Sequence, residues 1–446
     1  MGETWLTDVK GVPVWPVMLG FLWSVPVWGG QESVAGPPPL PDPLSLEQAL
    51  ALADETHPDL EMAQARRDRA SAEVLAAESL TGFKLNFDLV PQAADLSRDK
   101  SIAFVDDSYA QLSLTRRLYD FGRSSSLERS ARARVQSRSL DYLDVRQRRR
   151  LEIMARFFDV LLADRRYAVD NEEMAYRYVI FDKGRERHRL GMISDVELLS
   201  LESRYQEALI ARTRSQLRQS STRAQLAIVL NRPGDLPARL VEPELKAVPH
   251  AIPDYDMLLK EVLAANPRLQ AMRHEVRAAE ERLAAERALR RPVLSGEIKG
   301  TAWKREVGSR TSGNIGLSLR VPLYQGQADR AAIARAAAAL RERKAILDKA
   351  ELGLRQTLLD LLQELESLKI QRQAAQIRLD ARDLELDRRR ALYELERDTT
   401  LGNAMVRVTE AHWQAAKVDY EAALTWARVE ALRKRLINDN TVGDKP

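Results

Sequence analysis

The side chains that could carry chemistry are few and scattered. Five histidines, His57, His188, His250, His274 and His412, share no metal-ligand spacing and form no HExxH pair. No cysteine is present, which excludes disulfides, thiolate ligands, a cysteine nucleophile and a lipid-anchored N-terminal Cys. Gly308 to Gly316 reads as a hairpin loop, not as a phosphate cradle, and no carboxylate cluster suits general acid–base work. The reading is therefore of no enzyme, with no catalytic, cofactor-binding or metal residue and no cofactor. Nucleic acid is not expected either. A sequence pI near 9.1 comes from 69 basic against 65 acidic residues, a net charge of only +4. The local runs Arg149-Arg150 and Arg388-Arg389-Arg390 fall inside helical patterns and read as solvated helix faces.

Charge is spread along the chain, with 30% charged and only 6% aromatic residues, a composition of extended helices. Near the N-terminus an apolar run from Val12 to Trp28 follows Lys10 and leads into Gly29-Gly30. This is the layout of a secretory signal, with cleavage expected between Gly30 and Gly36. Pro13, Pro16 and Pro26 make the run a poor membrane helix. No other segment has the ~18 apolar residues a spanning helix needs, so any embedding in a membrane must be by strands.

The chain repeats itself. Leu46-Glu47-Gln48-Ala49-Leu50 leads to His57-Pro58-Asp59-Leu60, and Tyr255-Asp256-Met257-Leu258-Leu259 leads to Asn266-Pro267-Arg268-Leu269, the two prolines 209 positions apart. Leu118-Tyr119-Asp120-Phe121-Gly122 matches Leu323-Tyr324-Gln325-Gly326, and Arg189 to Asp195 lies opposite Glu394 to Thr400. The reading is a tandem duplication: a lead-in over residues 1–36, a first repeat over 37–243 and a second over 244–446. Prolines at 233, 237, 243, 249 and 253 forbid a continuous helix in the hinge.

Each half predicts a helix, two strands, then two helices. Helices are expected over Leu46–Leu80 with a break at Pro58, Ser124 to about Arg187, Asp195–Leu230, Asp329 to about Leu395, and Thr400–Ile437. Apolar residues at heptad-like spacing and the lack of internal proline predict coiled-coil packing. Between helices the period drops to two. Phe83, Leu85, Phe87 and Leu89 alternate with Lys84, Asn86 and Asp88; Leu112 and Leu114 alternate with Gln111 and Ser113. Ile298 lies between Glu297 and Lys299, and Ile315, Leu317 and Leu319 alternate with polar residues and glycine. Such runs suit strands with lipid on one side and water on the other. Half-buried strands of a soluble sheet share this pattern. Closure separates the two cases: four strands cannot close a barrel and an open edge cannot sit in lipid. Three chains supply twelve strands. The rival architecture is a soluble coiled-coil scaffold, which needs neither matched hairpins nor a signal.

These features, in this order, resemble the TolC-like outer-membrane efflux proteins over essentially all of Leu44 to Ile437. The resemblance is carried by the duplicated helix openings, the strand exits at Leu118 to Gly122 and Val321 to Gly326, the turn Leu190 to Val196, and the helix end Leu226 to Pro233. It implies a mainly α fold with a membrane β-barrel: a homotrimer with a 12-stranded barrel and an α-helical tunnel. The location implied is the outer membrane, with the tunnel in the periplasm. The function implied is a passive exit duct of a tripartite efflux or type I secretion system, opened by a periplasmic adaptor and served by an inner-membrane pump.

It further implies that Arg189, Leu190, Gly191, Ser194, Asp195, Arg397, Asp398, Thr399 and Thr400 form the periplasmic tip, its adaptor contact and its gate. Phe83, Leu85, Phe87, Leu89, Leu112, Leu114, Ile298, Leu317 and Leu319 would face lipid. Gly191 suits the reversal of the chain, and Ser194 or Asp195 the cap of the next helix. Glu396 stands where the family has glycine, and Gly402 and Met405 stand where some members place constricting aspartates. Salt links between subunits through Arg189, Asp195, Arg397 and Asp398 are the gate expected in their stead. The cargo is not specified by any residue pattern.

Overall fold

A computed structural model of the chain describes residues 40–95, 104–235, 239–245, 252–304, 312–394 and 401–436. The expected signal segment and the second tip turn, with Arg397, Asp398, Thr399 and Thr400, lie outside the described residues. The first half runs α1 (Leu46–Ala51), a 3-10 turn (Leu52–Asp54), α2 (Pro58–Glu78), β1 (Phe83–Val90), β2 (Ala93–Asp95), β3 (Phe104–Asp106), β4 (Tyr109–Tyr119), α3 (Arg123–Arg189) and α4 (Asp195–Val229). The second runs α5 (Tyr255–Ala265), α6 (Pro267–Arg287), β5 (Val293–Trp303), β6 (Gly313–Arg320), α7 (Ala328–Glu394) and α8 (Leu401–Leu432). The short β2–β3 ladder lies between β1 and β4.

The two prolines start helices rather than merely breaking them. His57 caps α2 through Nδ1, which accepts the Asp59 N–H at 3.1 Å, with Pro58 in the first turn. Asn266 does the same for α6, its Oδ1 accepting from Leu269 N at 3.1 Å before Pro267. Proline there loses nothing, since its missing N–H would have no partner within the helix. The His57 cap works only with a neutral ring. Burial, and next the Arg149 charge, hold its pKa below 6.5, against the pull of Asp59, Glu152 and Glu61. A lowered pKa means the neutral ring's contribution is complete above about 6.5 and fades as pH falls through the folded value. His57→Asn, which keeps the cap without the titration, is expected to flatten the acid limb of the melting-temperature profile below about pH 6.5. An unchanged limb would show that His57 is not its source.

α3 and α7 are 67 residues each, or roughly 100 Å at 1.5 Å per residue. α3 packs on α2 and α6 along its first part and on α4 along its last; α7 packs on α6 and α8. The long helices are thus continuous while their antiparallel partners are interrupted. The interruption is filled by two buried cores at the waist. One joins Leu44, Ile153, Phe157, Val160, Leu226 and Leu230; the other joins Leu258, Val262, Leu358, Leu362, Leu365 and Val429. Ile153, Phe157 and Val160 of α3 correspond to Leu358, Leu362 and Leu365 of α7, each 205 positions on.

The linker is strapped to this waist. Leu44 N donates to Arg239 O at 3.0 Å and Val241 N to Leu44 O at 2.9 Å. Glu242 accepts from Arg165 Nη2 at 2.6 Å and from Tyr420 Oη at 2.9 Å, with the Tyr420 ring stacked on Phe158. Burial alone would raise the Glu242 carboxyl, but these hydrogen bonds outweigh it and hold it low. Arg149 corrects the solvated-face expectation. It is 3% exposed and donates from Nε to Ala53 O at 3.2 Å, while neighbouring Arg146 and Arg150 pair with Asp54. A buried guanidinium needs such partners, and here the 3-10 turn supplies them. Arg388 and Arg390 are exposed, as expected.

Candidate functional site

The four long strands form one antiparallel sheet in the order β1-β4-β5-β6. The pairing of β4 with β5 joins the two halves, and β1 and β6 are the edges. Opposite residues of paired strands share a face, so the register sorts every side chain. Leu85, Leu114, Ile298 and Ile315 form one continuous row. Phe87, Leu112, Gly300 and Gly313 form the next, and Phe83, Arg116, Gly296 and Leu317 another. Leu89 pairs with Ala110 on this face, and Leu294 with Leu319. All nine residues expected to face lipid therefore lie on one side of the sheet. Ile315 belongs with them; its place in the alternation was the signal. Arg116 is the one charge in this band, its guanidinium 4.5 Å from the Phe83 ring centroid and its Nε bound to Thr81 O.

The other face is polar. Its rows are Lys84, Thr115, Glu297 and Gly316, then Asn86, Ser113, Lys299 and Asn314, then Asp88, Gln111 and Thr301. Phe83, Leu85, Phe87 and Leu89 stay 65–69% exposed, which no soluble monomer of this size favours for a whole strand face. The 11-residue strands β4 and β5 would extend ~37 Å, and tilted by ~40° would rise ~28 Å, matching an apolar band of ~25 Å.

Strand turns into helix at two equivalent corners. Phe121 and Gly122 have φ of 54° and 90°, and Gly326 and Gln327, 205 positions later, have φ of 57° and 67°. A left-handed conformation is unusual for a residue as bulky as Phe. Here Asp120 accepts from Ser124 N at 3.0 Å, Tyr119 packs edge-on against the Phe121 ring, and Arg291 donates to Phe121 O at 3.0 Å.

At the far end of α3 the chain reverses over Leu190 to Ser194. Gly191 N donates to His188 O and Met192 N to Arg187 O, both at 2.8 Å, with Gly191 at φ 74°. This is the glycine-terminated closure that satisfies the last carbonyls of a helix. Nothing lies within 4 Å of where a Gly191 Cβ would be, so the backbone angle alone demands glycine. Ser194 rather than Asp195 caps α4, its Oγ accepting from Glu197 N at 3.2 Å. Asp195 Oδ1 instead lies 2.6 Å from His188 Nε2, and Arg189 pairs with Glu186, so both tip charges are engaged within their own chain. His188 was not foreseen, because the seven-residue offset has meaning only once the turn is closed.

Leu190, Met192, Val196 and Leu199 leave an apolar patch exposed on this turn. Gly402, at the start of α8, lies against the Tyr176 ring of α3; a Cβ there would come within 2.6 Å of it. No group of His, Asp and Glu able to hold a metal occurs among the described residues, and no described helix is long and apolar enough to cross a membrane.

Residues 258–433 match the family described as Outer membrane efflux protein. Protein CyaE of Bordetella pertussis is 26% identical over 347 residues, 74% of this chain and 72% of CyaE. The fold is similar to the CmeC outer membrane channel of Campylobacter jejuni, with a TM-score of 0.75 at 15% identity over 88% of this chain and 86% of that one. It is similar also to the outer membrane protein VceC of Vibrio cholerae, with a TM-score of 0.67 at 17% identity over 88% and 94% of the two chains. Residues 258–433 thus carry a sequence match to the Outer membrane efflux protein family, and the chain as a whole has the fold of these outer membrane channels.

Proposed function

We propose that three copies of this chain form the exit duct of a tripartite efflux or type I secretion system, docked on a periplasmic adaptor and an inner-membrane pump. The observation that carries the reading is the sheet itself: four strands, two open edges and an exposed apolar face crossing every strand. Joining β6 of one copy to β1 of the next would remove the edges and close twelve strands with the apolar rows on lipid.

The helices support the same assembly. α7 leaves Leu352, Leu359, Ile370, Ile377 and Leu384 exposed, spaced by seven or eleven residues. α4 leaves Leu199, Ile210, Leu217 and Ile228 exposed at spacings of eleven and seven. Stripes of this period are coiled-coil seams awaiting a partner helix.

The two repeats, 37–243 and 244–446, would give the trimer a sixfold-like ring of helix pairs. Its periplasmic tip would include residues 189–195, with the exposed apolar turn at Leu190 and Met192 offered to the adaptor. Opening would be a shift of α7 and α8 against α3 and α4, biased by that contact.

The test is the mass and shape of the detergent-purified protein, measured alongside its membrane fraction. An elongated trimer in the outer-membrane fraction is expected. A soluble dimer that needs no detergent would replace this reading with the coiled-coil scaffold.

A further inference from the structure

We infer that the water-facing side of the barrel carries a cationic collar at its helix-proximal end, a site for anionic solutes that is complete only when copies join. The inference rests on the duct reading above. It starts from the two edge strands. On β1 the polar face begins with Lys84, and on β6 it ends with Arg320, which pairs in register with Val293. Both side chains are exposed, and neither has an ion pair among the described residues. Both lie at the end of the sheet nearest the helices, one on each edge. Within one chain they are separated by the width of the sheet. Closure would bring the β6 edge of each copy to the β1 edge of the next and gather six cations at the helix-proximal end of the lumen.

The acids of that region do not cancel them. Asp120 is buried and held by Arg117 at 3.4 Å and by Ser124. Glu297 is paired with Lys299 at 2.8 Å. Strand β6, Gly313 to Arg320, contains no acid at all, so no carboxylate of that edge can neutralise Lys84 across the seam. The acid of β1 is Asp88, two rows further from the helices than Lys84 and therefore further still from Arg320. Gly316, Ser295 and Ser318 surround the cations on the same face and leave the lumen open before them.

The dimensions let such a collar act on anything passing. Twelve strands ~4.8 Å apart and tilted ~40° enclose a backbone radius of ~12 Å. Extended Lys and Arg side chains reach about halfway to the axis. Their charges then stand within the Debye length of ~8 Å at physiological salt from a solute at the centre. A ring of one sign in a low-dielectric wall concentrates counter-ions locally. The ligand chemistry is thus anionic: carboxylates, phosphates or an acidic polypeptide segment threading the barrel.

The experiment uses the purified full-length trimer in planar bilayers under a potassium chloride gradient, with tripolyphosphate added on the barrel side. The wild type is expected to give an anion-selective reversal potential and to be blocked by tripolyphosphate more strongly at low salt. In the double variant Lys84→Gln/Arg320→Gln, the anion-to-cation permeability ratio is expected to fall at least about threefold and the block to be lost. Each single variant is expected to show part of the effect, which covers the case in which the double variant does not assemble. A cation-selective wild type, or variants that conduct with unchanged selectivity and block, would overturn the collar while leaving the duct intact. A wild type that forms no trimer and no conductance would overturn both.

Discussion

Leu114→Arg is expected to leave almost no trimer in the outer membrane. Leu114 is the middle residue of β4, flanked in register by Leu85 on one side and by Ile298 and then Ile315 on the other. An arginine there would sit near the middle of the apolar band. The cost at such a depth is ~2–4 kcal/mol per chain, incurred three times in a trimer. Total stabilities of ordinary domains are only ~5–15 kcal/mol. Gln111→Lys is the matched control. It lies on the opposite face of the same strand, in a row with Asp88 and Thr301, and is expected to assemble as well as the parent. The quantity to measure is trimer abundance in outer-membrane fractions. Equal abundance of the two variants would mean that this face does not meet lipid.

Phe157→Ala is expected to lower the thermal stability of the helical part by more than any single change outside the barrel. Phe157 is fully buried at the waist, packed with Leu44, Ile153 and Leu226, where α3 has no continuous partner helix. Removing a ring from such a site costs ~3–5 kcal/mol, because the void is only partly refilled. Leu362→Ala, at the equivalent place in α7, is expected to cost ~2–5 kcal/mol. Circular dichroism of the detergent-solubilised protein reads both as a fall in the helical melting temperature. A Phe157→Ala protein melting with the parent would show that the waist core does not limit stability.

The helices and hairpins were legible in the sequence because their periods differ. A period of 3.6 with no internal proline can only be a long helix, and Phe83 to Leu89 alternates strictly. The strand faces were legible for the same reason. The register was not. Alternation says which side Leu114 takes, but not that Leu85 and Ile298 lie beside it, nor that β4 pairs with β5 across the duplication. Ala93 to Asp95 carries no alternation, so the short ladder with Phe104 to Asp106 stayed hidden. Arg149 was misread because an arginine pair on a helix says nothing about Ala53 O, a neighbour 96 positions away. At the tip, Gly191 and Ser194 announced themselves through backbone chemistry that is local. The His188–Asp195 pair exists only because that backbone turns.

The waist has a mechanical consequence. From Phe157 to Arg189, α3 continues for 32 residues beyond its best-buried point, an arm of ~48 Å. A pivot of only ~5° about that fulcrum would carry the end of the arm ~4 Å sideways, about the width of a side chain. In the proposed trimer, repacking too slight to disturb the core would then suffice to change whether the aperture at the tip admits a solute or excludes it.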